Sequence, residues 1–257
     1  MIPKPSLPDL SPPSLGASAL ARRVRLASEP EDQPVSRPRL WRLLGELECL
    51  AEPVRRQFRS LEVAQSANPS IVLILPGFAT HPGRMRYMAR QIERAGHKTK
   101  RWGLGWNWGA SEDSLASLEQ RLDEVCERYE RNVVLLGWSL GGLYARELAK
   151  RKPDCVDKVI TMGSPFSGSL RANNVWRAYQ FVTGHRVDQA PIDVDLGTKP
   201  PVETVALWSP NDGAIHPRSA AGYPEERDRA IALRCTHMGF SYSTEAIGAV
   251  LRELERV

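Results

Sequence analysis

The sequence has no C-x-x-C pair and no histidine at zinc-ligand spacing from Cys49, Cys126, Cys155 or Cys235. A zinc module is therefore excluded, and free thiols in a reducing compartment are expected. No apolar run approaches the roughly 18 residues that would span a membrane. The opening MIPKPSLPDLSPPS lacks the continuous apolar core of a secretory signal, so a cytoplasmic location is expected. Only 7 lysines accompany 28 arginines, and the net charge of +5 is scattered rather than gathered. With no basic-aromatic repeat and no nucleic-acid motif, no nucleic-acid partner is expected. Nothing in the sequence fixes an oligomeric state.

What is present suits one globular domain: 257 residues, 42% hydrophobic and 25% charged, are enough to bury a full core. Residues 1–38 are rich in proline and are expected to form a disordered arm. Over residues 39–66, Leu40, Leu43, Leu44, Leu47, Leu50, Val54, Phe58 and Leu61 recur at three- and four-residue steps, which predicts an amphipathic helix kinked near Pro53. That helix either packs on the domain, covers a site mouth or makes peripheral contact with a membrane surface.

Residues 67–257 alternate apolar runs of strand length with helical patterns. Strands are predicted at 71–75, 97–102, 133–136, 156–162, 202–208 and 230–235. Helices are predicted near 84–95, 114–130, 140–150 and 244–256, with Ser111 and Ser114 as candidate caps of the second. This rhythm predicts an α/β fold whose mostly parallel central sheet is covered by helices on both faces. Residues 167–201 break the rhythm and read as an insertion.

The run VVLLGWSLGG (133–142) ends an apolar strand in a serine between glycines, with a helical pattern just after it. A nucleophile requires this setting: the tight strand-to-helix turn lifts the Ser139 hydroxyl above the sheet, and Gly137, Gly141 and Gly142 remove the side chains that would clash. A serine also needs a base and an orienting acid. His237, just past the last strand, is the expected base. His216 competes with it, while His81, His97 and His185 are surface, structural or insertion residues. Asp212, in WSPNDG past the strand 202–208, is the expected acid, with Asp193, Asp195 and Glu203 as alternatives. An oxyanion formed at Ser139 would meet the amides of Leu140 and Phe78, since Pro76 has no N–H to give.

In this order, LPGF (75–78), GWSLGG (137–142), MGSPF (162–166), NDG (211–213) and TH.G (236–239) resemble the α/β-hydrolase superfamily, and within it bacterial serine esterases and lipases. The resemblance covers about residues 40–257. It implies an α/β-hydrolase fold, Ser139, Asp212 and His237 as a catalytic triad, Phe78 and Leu140 as the oxyanion hole, and no cofactor or metal. Related sequences often carry a second histidine soon after the catalytic one, where this chain reads GFSYST (239–244).

The expected activity is cleavage of a small-molecule or lipid-like acyl ester through an acyl-enzyme. A thioesterase or acyltransferase would use the same residues, and a non-catalytic binding protein would keep only the scaffold. Trp106 and Trp108 are candidate walls of the acyl cleft, or residues of a packed loop. In the insertion, Trp176 and Tyr179 recur at helical spacing and would lie over Ser139 as a lid, or complete the core.

Overall fold

The apolar runs are strands buried from both sides. The computed structural model describes residues 16–30, 35–55, 61–192 and 194–256. Six strands, β1 (Ile71–Leu75), β2 (Lys98–Arg101), β3 (Val133–Trp138), β4 (Val156–Met162), β5 (Glu203–Trp208) and β6 (Arg229–Ala232), form one sheet in the order β2-β1-β3-β4-β5-β6. Every pairing is parallel. Among the described residues the helices are α1 (Ala17–Ala27), α2 (Arg42–Gly45), α3 (Glu52–Arg55), α4 (Arg86–Arg94), α5 (Glu112–Tyr129), α6 (Leu140–Arg151), α7 (Trp176–Thr183), α8 (Pro217–Ala221) and α9 (Thr244–Leu254).

Side chains alternate along each strand and so build two cores. Val72, Ile74, Val134 and Leu136 meet Met88 and Ile92 of α4 and Ile247 and Val250 of α9. Ile71, Leu73, Val133 and Leu135 meet Leu115, Leu118 and Leu122 of α5 and Tyr144 and Leu148 of α6. The edge strand β2 reads KTKR and is partly to fully exposed, which discourages further strand pairing. Ser111 is the residue that caps α5, its hydroxyl accepting the Ser114 amide at 3.1 Å. The strand expected over 230–235 ends at Ala232, where the chain leaves the sheet for the loop that carries His237. No helix among the described residues is long and apolar enough to cross a membrane.

The strand order positions the site. From β1 the chain moves outward to β2, then returns across β1 to place β3 on its other side. The carboxyl ends of β1 and β3 therefore diverge into a crevice, where ligands lie in open α/β sheets. Phe78 follows β1 and Ser139 follows β3.

Two expectations for the amino-terminal part are corrected. Residues 1–15 and 31–34 of the expected disordered arm lie outside the described residues, but Ala17–Ala27 within it forms α1. Residues 14–29 contain no proline, and their alanines, leucines and arginines favour a helix. It packs against α7, with Gln180 donating to the Leu26 carbonyl at 2.6 Å and Arg23 to that of Phe181 at 2.9 Å.

The single amphipathic helix expected over 39–66 is instead α2, a 3₁₀ turn (Glu46–Leu50) and α3, and its apolar stripe faces outward. Residues 56–60 lie outside the described residues, and 61–66 have no regular structure. Leu44 is 69% and Leu50 75% exposed, while Glu52 is buried. The cause is polar: Glu46 and Glu48 turn inward to accept hydrogen bonds from the loops after β5 and β6.

Candidate active site

β3 ends at Trp138 and α6 begins at Leu140, so Ser139 alone makes the turn. Its φ of 54 and ψ of −122 are a conformation that strains a residue bearing a side chain by about 1–3 kcal/mol. Close approach of neighbouring backbone makes the turn possible. A Cβ at Gly137 would strike the Gly141 carbonyl, one at Gly141 the Leu75 carbonyl, and one at Gly142 the Ser164 side chain. The Ser139 amide donates to the Met162 carbonyl at 2.8 Å and pins the turn to the end of β4.

Asp212 and His237 arrive from the ends of β5 and β6. Asp212 is 1% exposed, and its Oδ1 accepts the amides of Ala214 at 2.8 Å and Ile215 at 2.7 Å. Those bonds aim Oδ2 at His237 Nδ1, 2.8 Å away. With Nδ1–H donated to Asp212, Nε2 of the neutral ring keeps its lone pair and can accept a proton. Trp138 Nε1 donates to the His237 carbonyl at 3.1 Å, and the Phe240 ring stands edge-on to the imidazole. Gly163 closes the floor beneath them: a Cβ there would sit 3.0 Å from Asp212 Oδ2 and 3.1 Å from His237 Nδ1. Among the hydrogen bonds of the described residues, His237 Nδ1 meets Asp212 and none joins the ring to Ser139 Oγ, as is common before substrate tightens such a site. Burial alone would push the His237 imidazole down. The Asp212 charge, its hydrogen bond to the ring and the Glu46 charge outweigh burial, and the pKa is held above the ordinary histidine value.

The loop after β1 is braced from outside. Asn107 Nδ2 donates to the Pro76 carbonyl at 2.8 Å, and the Asn107 carbonyl accepts the Ala79 amide at 2.7 Å. Thr80 Oγ1 donates to the Gly77 carbonyl at 2.7 Å. These ties hold Ala79 at a φ of 52 and fix the Phe78 peptide between them. Across the crevice, Leu140 is the first residue of α6, where an amide has no partner within the helix.

Ser139 opens into a cavity of about 560 Å³. Its walls are mostly aliphatic and aromatic, including Phe78, Leu143, Trp176, Tyr179, Ile192 and Leu196, with the carboxylates of Glu147 and Asp188 among them. The Phe78 and Tyr179 rings lie 5.0 Å apart, and Tyr179 OH accepts the Ala110 amide at 3.1 Å. Burial pushes the Tyr179 hydroxyl up to about 12, so it stays neutral. Trp176 is 1% exposed, with the Arg37, Arg171 and Arg177 guanidiniums within cation–π reach of its ring. The structure thus brings Trp176 and Tyr179 to the cavity but not Trp106 or Trp108. Those two stack on one another 5.2 Å apart with Trp106 half-exposed, because the loop turns inward at Asn107 between them.

The other candidates have local roles. His81 and His216 cap the helical turns that follow them, accepting the amides of Gly83 and Arg218. The His97 ring accepts the Ser70 amide at 3.0 Å, and His185 lies against the Tyr179 ring. Asp195 accepts from Thr198, and Glu203 pairs with Lys158 and Arg229. Asp193 lies outside the described residues.

Three residues escaped the sequence reading: Glu46, Asn107 and Arg146. Arg146 is 1% exposed on α6 and donates to the carbonyls of Leu196, Gly197, Thr198 and Glu226. It pins the cavity wall at Leu196 to the helix that begins at the Ser139 turn. In the sequence it is one of four charged residues of α6, beside Glu147, Lys150 and Arg151, and nothing there sets it apart.

Comparison with known proteins bears on the family and the fold. Pimeloyl-[acyl-carrier protein] methyl ester esterase of Vibrio cholerae is 34% identical over 103 residues, 40% of either chain. The enzyme of the same name from Nitrosomonas europaea is 28% identical over 127 residues, 46% of either chain. The matched stretch thus spans less than half the length of these curated relatives. Mature lipase BlEst2 of Bacillus licheniformis superposes with a TM-score of 0.54 at 15% identity, over 77% of this chain and 96% of that one, and shares the fold. The family model for Serine aminopeptidase, S33, matches residues 66–244. That span takes in all six strands together with Ser139, Asp212 and His237, and the chain belongs to this family, built on the α/β-hydrolase fold.

Proposed function

We propose that the protein hydrolyses carboxylic esters through an acyl-enzyme on Ser139. The observation that carries this reading is the 2.8 Å Asp212–His237 pair on the loops after β5 and β6, in a chain that also holds a serine on a strained turn at the sheet's switch point. His237 Nε2 takes the hydroxyl proton as Ser139 Oγ attacks the ester carbonyl. The amides of Phe78 and Leu140 stabilise the oxyanion. The tetrahedral intermediate collapses with release of the alcohol, which receives the proton from His237. Water, deprotonated by the same ring, then frees the acid and restores the serine. The names of the curated relatives support ester over amide cleavage.

The cavity favours an apolar acyl group. Aliphatic walls suit a hydrocarbon chain, and the two acids of the lining are ion-paired, Glu147 with Lys150 and Arg151 and Asp188 with Arg171 and Arg186. The outward leucines of the 40–54 segment, whose acids all turn inward, further support peripheral contact with a lipid surface. A fluorophosphonate probe tests the chemistry: labelling of Ser139 in the folded protein and its loss in Ser139→Ala are expected. Absence of labelling at Ser139 would overturn the reading.

A further inference from the structure

We infer that Glu46 is a positioning residue, which holds the loops of the acid and the base in register and sets a second carboxylate behind their pair. The inference rests on the proposed roles of Asp212 and His237. Glu46 Oε1 accepts the Gly213 amide at 2.8 Å and the His237 amide at 2.8 Å, and Oε2 accepts the Met238 amide at 2.7 Å. One carboxylate thus grips the residue after the acid, the base itself and the residue after the base. Other ties between the two loops sit further back, at Ser209 Oγ to the Cys235 carbonyl and Asn211 to the Arg234 carbonyl. They fix the roots of the loops; at His237 itself Trp138 holds the carbonyl and Glu46 the amide.

The fit is close. A Cβ on Gly213 would lie 2.6 Å from the Arg42 carbonyl oxygen and 3.0 Å from Glu46 Oε1, so only glycine admits the segment there. Glu48 continues the grip by accepting from the Thr236 hydroxyl at 3.0 Å. The groups around the imidazole are Asp212 from the loop after β5, Glu46 from the 3₁₀ turn, and the rings of Trp138 and Phe240. Near them, Cys235 is pushed up to about 12 and Tyr242 higher still, both by burial first, so neither carries charge. Arg84 stacks over the Tyr242 ring. The charges that bear on His237 are two carboxylates, Asp212 and Glu46, and both favour the imidazolium.

Glu46→Gln keeps one acceptor oxygen but sets an NH₂ against the Met238 amide and removes the charge. On a short p-nitrophenyl ester this variant is expected to lose about 10- to 100-fold in kcat with KM nearly unchanged. The acid limb of kcat/KM should also move to lower pH, because the neutral base persists further down once a charge favouring its protonation is gone. Glu46→Asp should lose kcat but keep the wild-type acid limb, and it is the contrast in acid limb between the two variants that a purely structural role would not predict. It also serves as the test if the glutamine variant does not fold. An acid limb unmoved in Glu46→Gln, or an aspartate variant with wild-type kcat, overturns the inference. Fluorophosphonate labelling of wild-type Ser139 separates that failure from failure of the ester-hydrolase reading, since it does not depend on any Glu46 variant.

Discussion

The carboxyl edge of the sheet and the 40–54 segment satisfy their chemistry in opposite directions. At the edge, apolar strands lie inside and deliver polar residues outward to a crevice. In the segment, Glu46, Glu48 and Glu52 face the protein while Leu40, Trp41, Leu44, Leu47, Leu50 and Val54 face solvent. The comparison teaches that burial followed hydrogen-bond demand rather than hydrophobicity. The loops carrying Asp212 and His237 expose backbone N–H groups that lack sheet partners. Leaving such donors buried and unpaired costs about 1–3 kcal/mol each, comparable to what burying one leucine contributes.

The sharpest break in the comparison comes from the edge. Asp212→Asn is expected to lower kcat on the order of 10⁴-fold with the fold intact, because the amide would stabilise the wrong imidazole tautomer. Steady-state kinetics beside a thermal melt checks it. Next is Arg146→Met, which leaves four carbonyls without their donor and should cost about 3 kcal/mol. A Tm drop on the order of 10 °C by calorimetry is the corresponding reading. Asn107→Ala removes one of the braces on the loop after β1, and kcat should fall roughly tenfold, with a Tm drop of only a few degrees from the Pro76 carbonyl left without its donor. The smallest effect on stability lies in the segment. Leu44→Ser with Leu50→Ser should change unfolding by less than about 0.5 kcal/mol, yet lower cosedimentation with anionic vesicles.

The sheet was legible because the central strands are mostly apolar runs that admit few other readings, and the alternation with helices placed the two edge strands; all six matched to within three residues at either end. Ser139, Asp212 and His237 stood out because each follows a strand, and the structure brings the last two within hydrogen-bond distance. The 40–54 segment was misread for a physical reason. Periodicity shows that one face differs from the other, but not which face meets the protein. Glu46 and Glu48 went unremarked because their partners are mostly backbone amides, which leave no mark in a sequence. Asn107 was hidden the same way between two conspicuous tryptophans, and α1 by the prolines around it.

The grip of Glu46 on His237 joins residues 191 apart in the chain. During synthesis the 40–54 segment leaves the ribosome long before the loops it must hold exist. Its carboxylates wait in water while the sheet is laid down strand by strand, and α9 follows the loop that bears His237. Closing so long a loop is a late event. Completion of the sheet and readiness for chemistry are therefore separate moments in the life of the chain, and on refolding, recovery of secondary structure should run ahead of recovery of turnover.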